Sequence, residues 1–338
     1  MNQKILDLAP QIFEEVQKAK NILLHCHPSP DCDSLGSSLA WMYYLQSLGK
    51  NVTIIIGDSI RHPKNLTVMP GYDKIVMKNY LEINAEEFDL FIINDAADIT
   101  RVSAKGDVVF PKKMKTIVID HHPSNPGFGE INLIVDEYIA AGQIVFELFK
   151  LWKVEITRDM AINLILSIHT DSGGLKYAPT TSETLRDYAE LIDIVPDYHD
   201  IIFKYENMKE RDELKFQGLV LNSIEEYFSN QVALVAISYD KLIQNKLDPQ
   251  NAYGQANRLV SVPDWKVGVT MFEREKNVIV LSSRTANSDI YDLSVFAQSI
   301  GGGGHKAAAG ATLKMPLADA KKLVLDKLAE LFPDLGKQ

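Results

Sequence analysis

At 338 residues the chain is long enough for two domains, each burying a core of its own. Hydrophobic residues make up 46% and charged residues 24%, a globular balance that excludes wholesale disorder. A formal net charge of -10 excludes a broad grip on long duplex nucleic acid, yet leaves room for a short nucleotide held by cations and a few basic side chains.

Residues 1–20 set Leu6, Ile12, Phe13 and Val16 among charges and predict an amphipathic helix. They lack the apolar centre of a signal peptide, and no 18-residue apolar run occurs, so the expectation is a cytoplasmic protein with no membrane contact. Cys26 and Cys32 are the only cysteines and form no Cys-x-x-Cys pair, which predicts reduced thiols rather than structural zinc. Ile22-Leu23-Leu24 predicts a buried strand. It runs into His27-Pro-Ser-Pro-Asp31-Cys-Asp33-Ser-Leu-Gly36-Ser37, read as a tight loop before an amphipathic helix over 38–48.

Further strands are predicted at 51–56, 88–95, 116–120 and 132–135, with 58–80 mostly loop. Helices follow at 140–152 and 158–170, the second apolar nearly all round. Gly173-Gly174 suits a chain reversal, and Thr180-x-x-Glu183 reads as a capping box for a helix that fades at Val195-Pro196. The alternation predicts an α/β fold, a parallel sheet with helices on both faces. Residues 197–227 read as helical and charged. Beyond them, strands at 231–239, 265–272 and 277–283 and helices at 251–261, 291–300 and 317–332 predict a smaller α+β C-terminal domain. The expected boundaries are 1–195, a helical connector 196–215, and 216–338.

Each of three strands delivers polar residues at its C-terminal end, where open parallel sheets place their ligand crevice. His27, Asp31, Asp33, Asp95, His121 and Asp171 form one candidate set. Aspartates such as Asp95 often serve only as turn caps, but Asp120-His121-His122 and the His-x-x-x-Asp-x-Asp spacing concentrate ligands directly after buried strands. Carboxylate and imidazole donors without thiolate favour hard or borderline divalent ions, manganese or magnesium. Six ligands suit two ions sharing a bridging carboxylate, a pair able to activate a water and polarise a phosphoryl group. His25, His62, His169 and His199 are read as structural or surface residues.

With these motifs the chain resembles the DHH phosphoesterases, named for the triplet present here as Asp120-His121-His122, and within them the stand-alone nano-RNase/pAp-phosphatase type. The tail Gly301-Gly302-Gly303-Gly304-His305-Lys306 through Gly310 resembles the DHH-associated C-terminal domain. The resemblance implies a phosphoesterase with two divalent metal ions, manganese first and magnesium or cobalt as alternatives. His27, Asp31 and Asp95 would hold one ion; Asp33, Asp95, His121 and Asp171 the other. Asp120 would orient His121, and His122 would face the scissile phosphate. Gly303, Gly304 and His305 would meet substrate, the glycines as an anion nest. Arg284 and, more weakly, Arg101 are candidate phosphate contacts.

The implied substrates are short oligoribonucleotides (nanoRNA) and pAp, releasing nucleoside monophosphates, with a homodimer allowed. Two rivals remain at this point: a phosphodiesterase for cyclic or linear dinucleotides such as c-di-AMP or pApA, and a non-catalytic nucleotide-binding regulator. One departure stands out. Where the family pattern has a Ser/Thr-rich approach to the helix after the triplet, this chain has Ala140-Ala141-Gly142-Gln143.

Overall fold

The computed structural model describes residues 1–57, 63–252 and 254–337, so His62 lies outside the described residues. The chain folds as two compact units, Met1–Met208 and Lys209–Gln338. The division falls inside the stretch 196–215 read as a connector.

The first unit runs α1 (Gln3–Lys18), β1 (Asn21–Cys26), α2 (Cys32–Ser47), β2 (Asn51–Ile56), β3 (Leu90–Asn94), β4 (Lys115–Asp120), β5 (Ile131–Ile134), α3 (Ala141–Leu151), α4 (Arg158–Asp171), α5 (Ser182–Ile194) and α6 (Tyr198–Asn207). All five strands are parallel, in the order β2-β1-β3-β4-β5. This is the predicted α/β class. Side chains alternate across the sheet: Ile22, Leu24, Ile92, Ile117 and Ile119 face the helices, while Leu23, Phe91, Ile93 and Val118 face the chain between Tyr80 and Phe128. Both faces are therefore covered, one by α-helices and the other by irregular chain with short 3₁₀ turns.

Two local readings change. α2 starts at Cys32, six residues earlier than its amphipathic pattern suggests, because the Asp31 side chain accepts the N–H groups of Asp33 and Ser34. Its first turns are buried all round, which hides the 3.6-residue period. Gly36 lets α2 cross α4 closely; a Cβ there would sit 2.4 Å from the Asn163 carbonyl oxygen. The capping box of α5 lies one residue later than expected, with Thr181 and Thr184 as its partners. Glu183 pairs instead with the N-terminal amine.

The second unit runs α7 (Arg211–Leu221), β6 (Ile224–Tyr227), β7 (Val232–Ile237), α8 (Tyr239–Gln244), α9 (Ala256–Leu259), β8 (Val267–Glu275), β9 (Val278–Thr285), α10 (Leu293–Ser299), β10 (Gly303–His305), β11 (Ala308–Lys314) and α11 (Leu317–Leu331). Its six-stranded sheet has the order β10-β11-β9-β8-β7-β6, with only β7 and β8 parallel. One face packs Leu234, Val269, Met271 and Leu281 with α10 and α11; the other packs Val235, Ile237 and Phe272 against Phe216, Val220 and Leu259.

The helical reading of 197–227 fails at its end, where Ile224–Tyr227 pairs antiparallel with β7. The helix expected over 251–261 shrinks to Ala256–Leu259, because Gly254 and Gln255 take left-handed φ values of +67° and +68°. Among the described residues no helix is long and apolar enough to cross a membrane.

Candidate metal centre

In the order β2-β1-β3-β4-β5 the chain reverses its direction of travel between β1 and β3. The crevice beyond the carboxyl ends of those strands is where open α/β sheets bind ligands. Six predicted residues arrive there from five segments. His27 follows β1; Asp31 caps α2 and Asp33 lies in its first turn; Asp95 follows β3; His121 follows β4; Asp171 ends α4.

Among the described residues, potential ligand atoms lie within 4.8 Å of one another in three groups: His27, Asp31 and Asp95; Asp33, His121 and Asp171; and, joining them, Asp95 and His121 with Asp120 and His122. In one group His27 Nε2 lies 3.3 Å from Asp31 Oδ2 and 3.1 Å from Asp95 Oδ2. In another His121 Nε2 lies 3.6 Å from Asp33 Oδ2 and 3.4 Å from Asp171 Oδ2. Asp95 serves both, since its Oδ1 is 3.4 Å from His121 Nε2. That is the geometry of a carboxylate between two positions. Asp95 holds it with φ +52°, a left-handed value that aspartate tolerates better than most residues, kept in place by its N–H on the Ile119 carbonyl at 2.9 Å.

The supporting bonds free the inward atoms. His27 Nδ1 faces outward, 2.8 Å from the Pro28 carbonyl, and leaves Nε2 as the nitrogen turned to Asp31 and Asp95. Asp31 spends Oδ1 on the N–H groups of α2 and leaves Oδ2 facing His27. Asp33 is fully buried, yet accepts the Ala141 and Gly142 N–H groups at 2.7 and 2.9 Å and the Ser167 hydroxyl at 2.6 Å. α3 has no side-chain cap of its own, so Asp33 supplies it from another element. In the sequence Ala141 and Gly142 stand out only as part of the departure Ala140-Ala141-Gly142-Gln143 from the family pattern, and Ser167, inside an apolar helix, carries no signal of its own.

Electrostatics match the geometry. Burial and the neighbouring Asp95 push Asp33 up to about 7. Burial together with Asp33, Asp95 and Asp31 pushes Asp171 up to about 9. Burial opposes a charge on His27 and His121, but the surrounding aspartates outweigh it and raise both rings to about 10. Burial would also raise Asp95, yet the facing His121 and His27 rings hold it well below the usual carboxylate range. Protons thus gather where cations would neutralise the same carboxylates. Among the described residues His121 Nε2 is buried with no hydrogen-bond partner, the position of a nitrogen that could ligate a metal. The donor set fits two divalent cations.

Asp120 does not reach His121 as the resemblance implied. Its Oδ1 is 2.8 Å from His122 Nδ1, and its Oδ2 accepts the Asn125 amide at 2.7 Å. β4 ends at Asp120, so successive side chains diverge and the residue two positions on returns to its side. His122 is the more open histidine of the pair, with 41% of its side chain exposed. Arg101 also joins the site, its Nη2 being 3.1 Å from His27 Nδ1. The other described histidines of the first unit stay out of it: His25 bonds the Val102 carbonyl, His169 faces Glu206, and His199 is exposed beside Asp200.

In the second unit, Arg284 on β9 pairs in register with Ala308 on β11, which pairs with His305 on β10. The two candidates therefore share a sheet face about 10 Å apart, two strand spacings. The glycine run is less a loop than expected. Gly303–His305 forms an exposed edge strand, and Gly302 and Gly304 are needed because a Cβ would meet β11 backbone at 2.1 and 2.5 Å. Gly303 alone of the strand's glycines faces open space.

Residues 21–168 match the DHH family, N-terminal domain, and residues 230–333 match the DHHA1 domain. The bifunctional oligoribonuclease and PAP phosphatase NrnA of Thermus thermophilus is 29% identical over 329 residues, which cover 96% of this chain and 95% of that one. The protein of the same name from Bacillus subtilis is 23% identical over 307 residues, covering 90% and 92%. An exopolyphosphatase-related protein from Bacteroides fragilis shares the fold, with a TM-score of 0.85 at 24% identity over 98% of both chains.

Proposed function

The chain belongs to the DHH family of phosphoesterases, and from that premise we propose that it hydrolyses short oligoribonucleotides and pAp at a two-ion centre. The observation that carries this reading is the shared carboxylate, Asp95, with one oxygen facing His27 and the other facing His121. His27, Asp31 and Asp95 would hold one ion, and Asp33, Asp95, His121 and Asp171 the other. Bound there, two divalent cations, manganese foremost, would acidify a water and polarise a phosphoryl oxygen.

The remaining work falls to side chains. His122 gives Nδ1–H to Asp120 and keeps Nε2 as its free nitrogen. The hydrogen bond to Asp120 raises the ring above its ordinary pKa, which favours the doubly protonated ring and so a proton on Nε2. It can donate that proton to a phosphoryl oxygen, or to the ester oxygen that departs as the P–O bond breaks. Arg101, beside His27, is suited to a further phosphate oxygen, and Arg284 and His305, on one face of the second unit's sheet, are chemically suited to a phosphate and a base. A reducing cytoplasm agrees with the two free, buried cysteines.

The relatives named as NrnA support nanoRNA and pAp as substrates. The test is the purified protein with manganese, magnesium or cobalt, offered pAp, a diribonucleotide, a long single strand, c-di-AMP and pyrophosphate. Release of AMP from pAp and mononucleotides from the diribonucleotide, fastest with manganese, is the expected result. Equal turnover of the long strand would remove the short-substrate reading, and cleavage of c-di-AMP alone would replace it. Binding without any product would leave a regulator.

A further inference from the structure

Asp33 is held from three directions, and only one of its donors is a side chain. Gly142 N–H and the Ser167 hydroxyl both reach Oδ1, at 2.9 and 2.6 Å, while Ala141 N–H reaches Oδ2 at 2.7 Å. Ser167 is fully buried on α4, one helical turn before Asp171 and on the same face of the helix. Its hydroxyl has no other hydrogen bond among the described residues. With Oδ1 occupied by two donors, the carboxylate is fixed so that Oδ2 faces His121 Nε2, 3.6 Å away.

Gly142 supplies a second, independent observation. Its backbone is outside the left-handed region, so nothing in its conformation requires glycine. The requirement is space. A Cβ at 142 would stand 2.0 Å from Ser167 Oγ, 2.8 Å from Ser167 Cβ and 3.4 Å from Asp33 Oδ1. Positions 142 and 167 thus compete for one small volume beside Asp33, and that volume holds a single hydroxyl.

We propose that Ser167 is a positioning residue for one ion of the pair: its hydroxyl, seated in space that Gly142 leaves open, locks the Asp33 carboxylate for the ion held with His121 and Asp171. The inference rests on the two-ion reading above. It also makes the hydroxyl, rather than the helix that carries it, the working part. A serine at 142 opposite a glycine at 167 would deliver the same group from α3.

The test is manganese titration of the metal-free full-length protein, followed by calorimetry and by the spin coupling of paired manganese ions. The wild type should bind two ions. In S167A one ion should loosen roughly 10–100-fold, the scale seen when a partner of a metal ligand is lost, while the other keeps its affinity. D31N, which weakens the opposite site, identifies which ion moved. The double variant G142S/S167G should regain most of the affinity, and a general packing defect would be neither selective for one ion nor repaired in this way. Two ions bound by S167A as tightly as by wild type would overturn the proposal alone. Equal loosening of both ions would do so too, as would a double variant no better than S167A. A wild type that binds fewer than two ions would remove the two-ion reading and this inference with it.

Discussion

His121 and His122 are neighbours in sequence, yet the fold gives them different tasks. His121 points a buried Nε2 at three aspartates, whereas His122 is tied to Asp120 and half exposed. Replacing His122 with alanine should therefore cut turnover on pAp about 10²–10⁴-fold, the usual range for a lost proton donor, with manganese affinity unchanged. Loss of manganese binding in H122A would place that ring among the ligands instead. The Asp120 contact raises the His122 pKa. In D120N that support weakens, the ring loses its proton at lower pH, and the alkaline limb of kcat/KM should move to lower pH. A limb that stays in place would separate His122 from the proton transfer. The triplet and the His-x-x-x-Asp-x-Asp spacing were legible as ligand sources, because each follows a buried strand directly. The partner of Asp120 was not, since which of two adjacent rings a carboxylate meets depends on where β4 stops pleating.

α2 is the element on which helix formation and metal binding coincide. Its cap, Asp31, is also a candidate ligand. D31A should destabilise even the metal-free protein by about 1 kcal/mol, the cost of a lost cap. D31N should preserve that stability, because asparagine caps as well as aspartate, while still weakening the ion beside His27. Thermal melts in chelator and manganese titrations of both variants check this, and identical melts for D31A and D31N would deny the cap its role. Strands were easier to read than helix starts. β1, β3 and β4 appear in the sequence as short apolar runs ending in acid or histidine, whereas the start of α2 is hidden because both of its faces are buried. α9 and β6 were misread for a different reason. Left-handed residues at 254 and 255 and an edge pairing with β7 outweighed local helical propensity.

Across the whole molecule, the first unit carries the clustered charge and so sets the pH dependence of stability. Asp33 and Asp171 are raised to about 7 and about 9, and His27 and His121 to about 10. A raised folded-state pKa gives stability that is complete below the unfolded value and lost as pH rises through the folded value. The loss begins near the ordinary aspartate value of about 4 for Asp33 and Asp171 and near about 6.5 for the two histidines, so the metal-free protein should lose stability progressively from about pH 4 to about pH 10. Asp95, depressed, contributes in the opposite sense and only on acidification. Manganese should flatten the alkaline decline by replacing the departing protons. Calorimetric melts across that window, with chelator and with manganese, measure it; a Tm independent of pH in chelator would contradict the charge cluster. The second unit supplies the other whole-molecule expectation. R284A should raise KM for pAp roughly 10–100-fold, the equivalent of a charged hydrogen bond worth about 1.5–3 kcal/mol, with kcat less affected. An unchanged KM would remove Arg284 from the substrate contacts.

The sequence by itself determined the fold class, the strands of the first sheet and the residues competent to bind metal, because burial and ligand chemistry are properties of short stretches. Tertiary structure decided which oxygen of Asp95 faces which histidine, that Asp120 serves His122, and that Asp33 is held by the start of α3 and by Ser167. Such pairings join positions as far apart as 33 and 167. They depend on the order of strands and the crossing of α2 with α4, which no local pattern encodes.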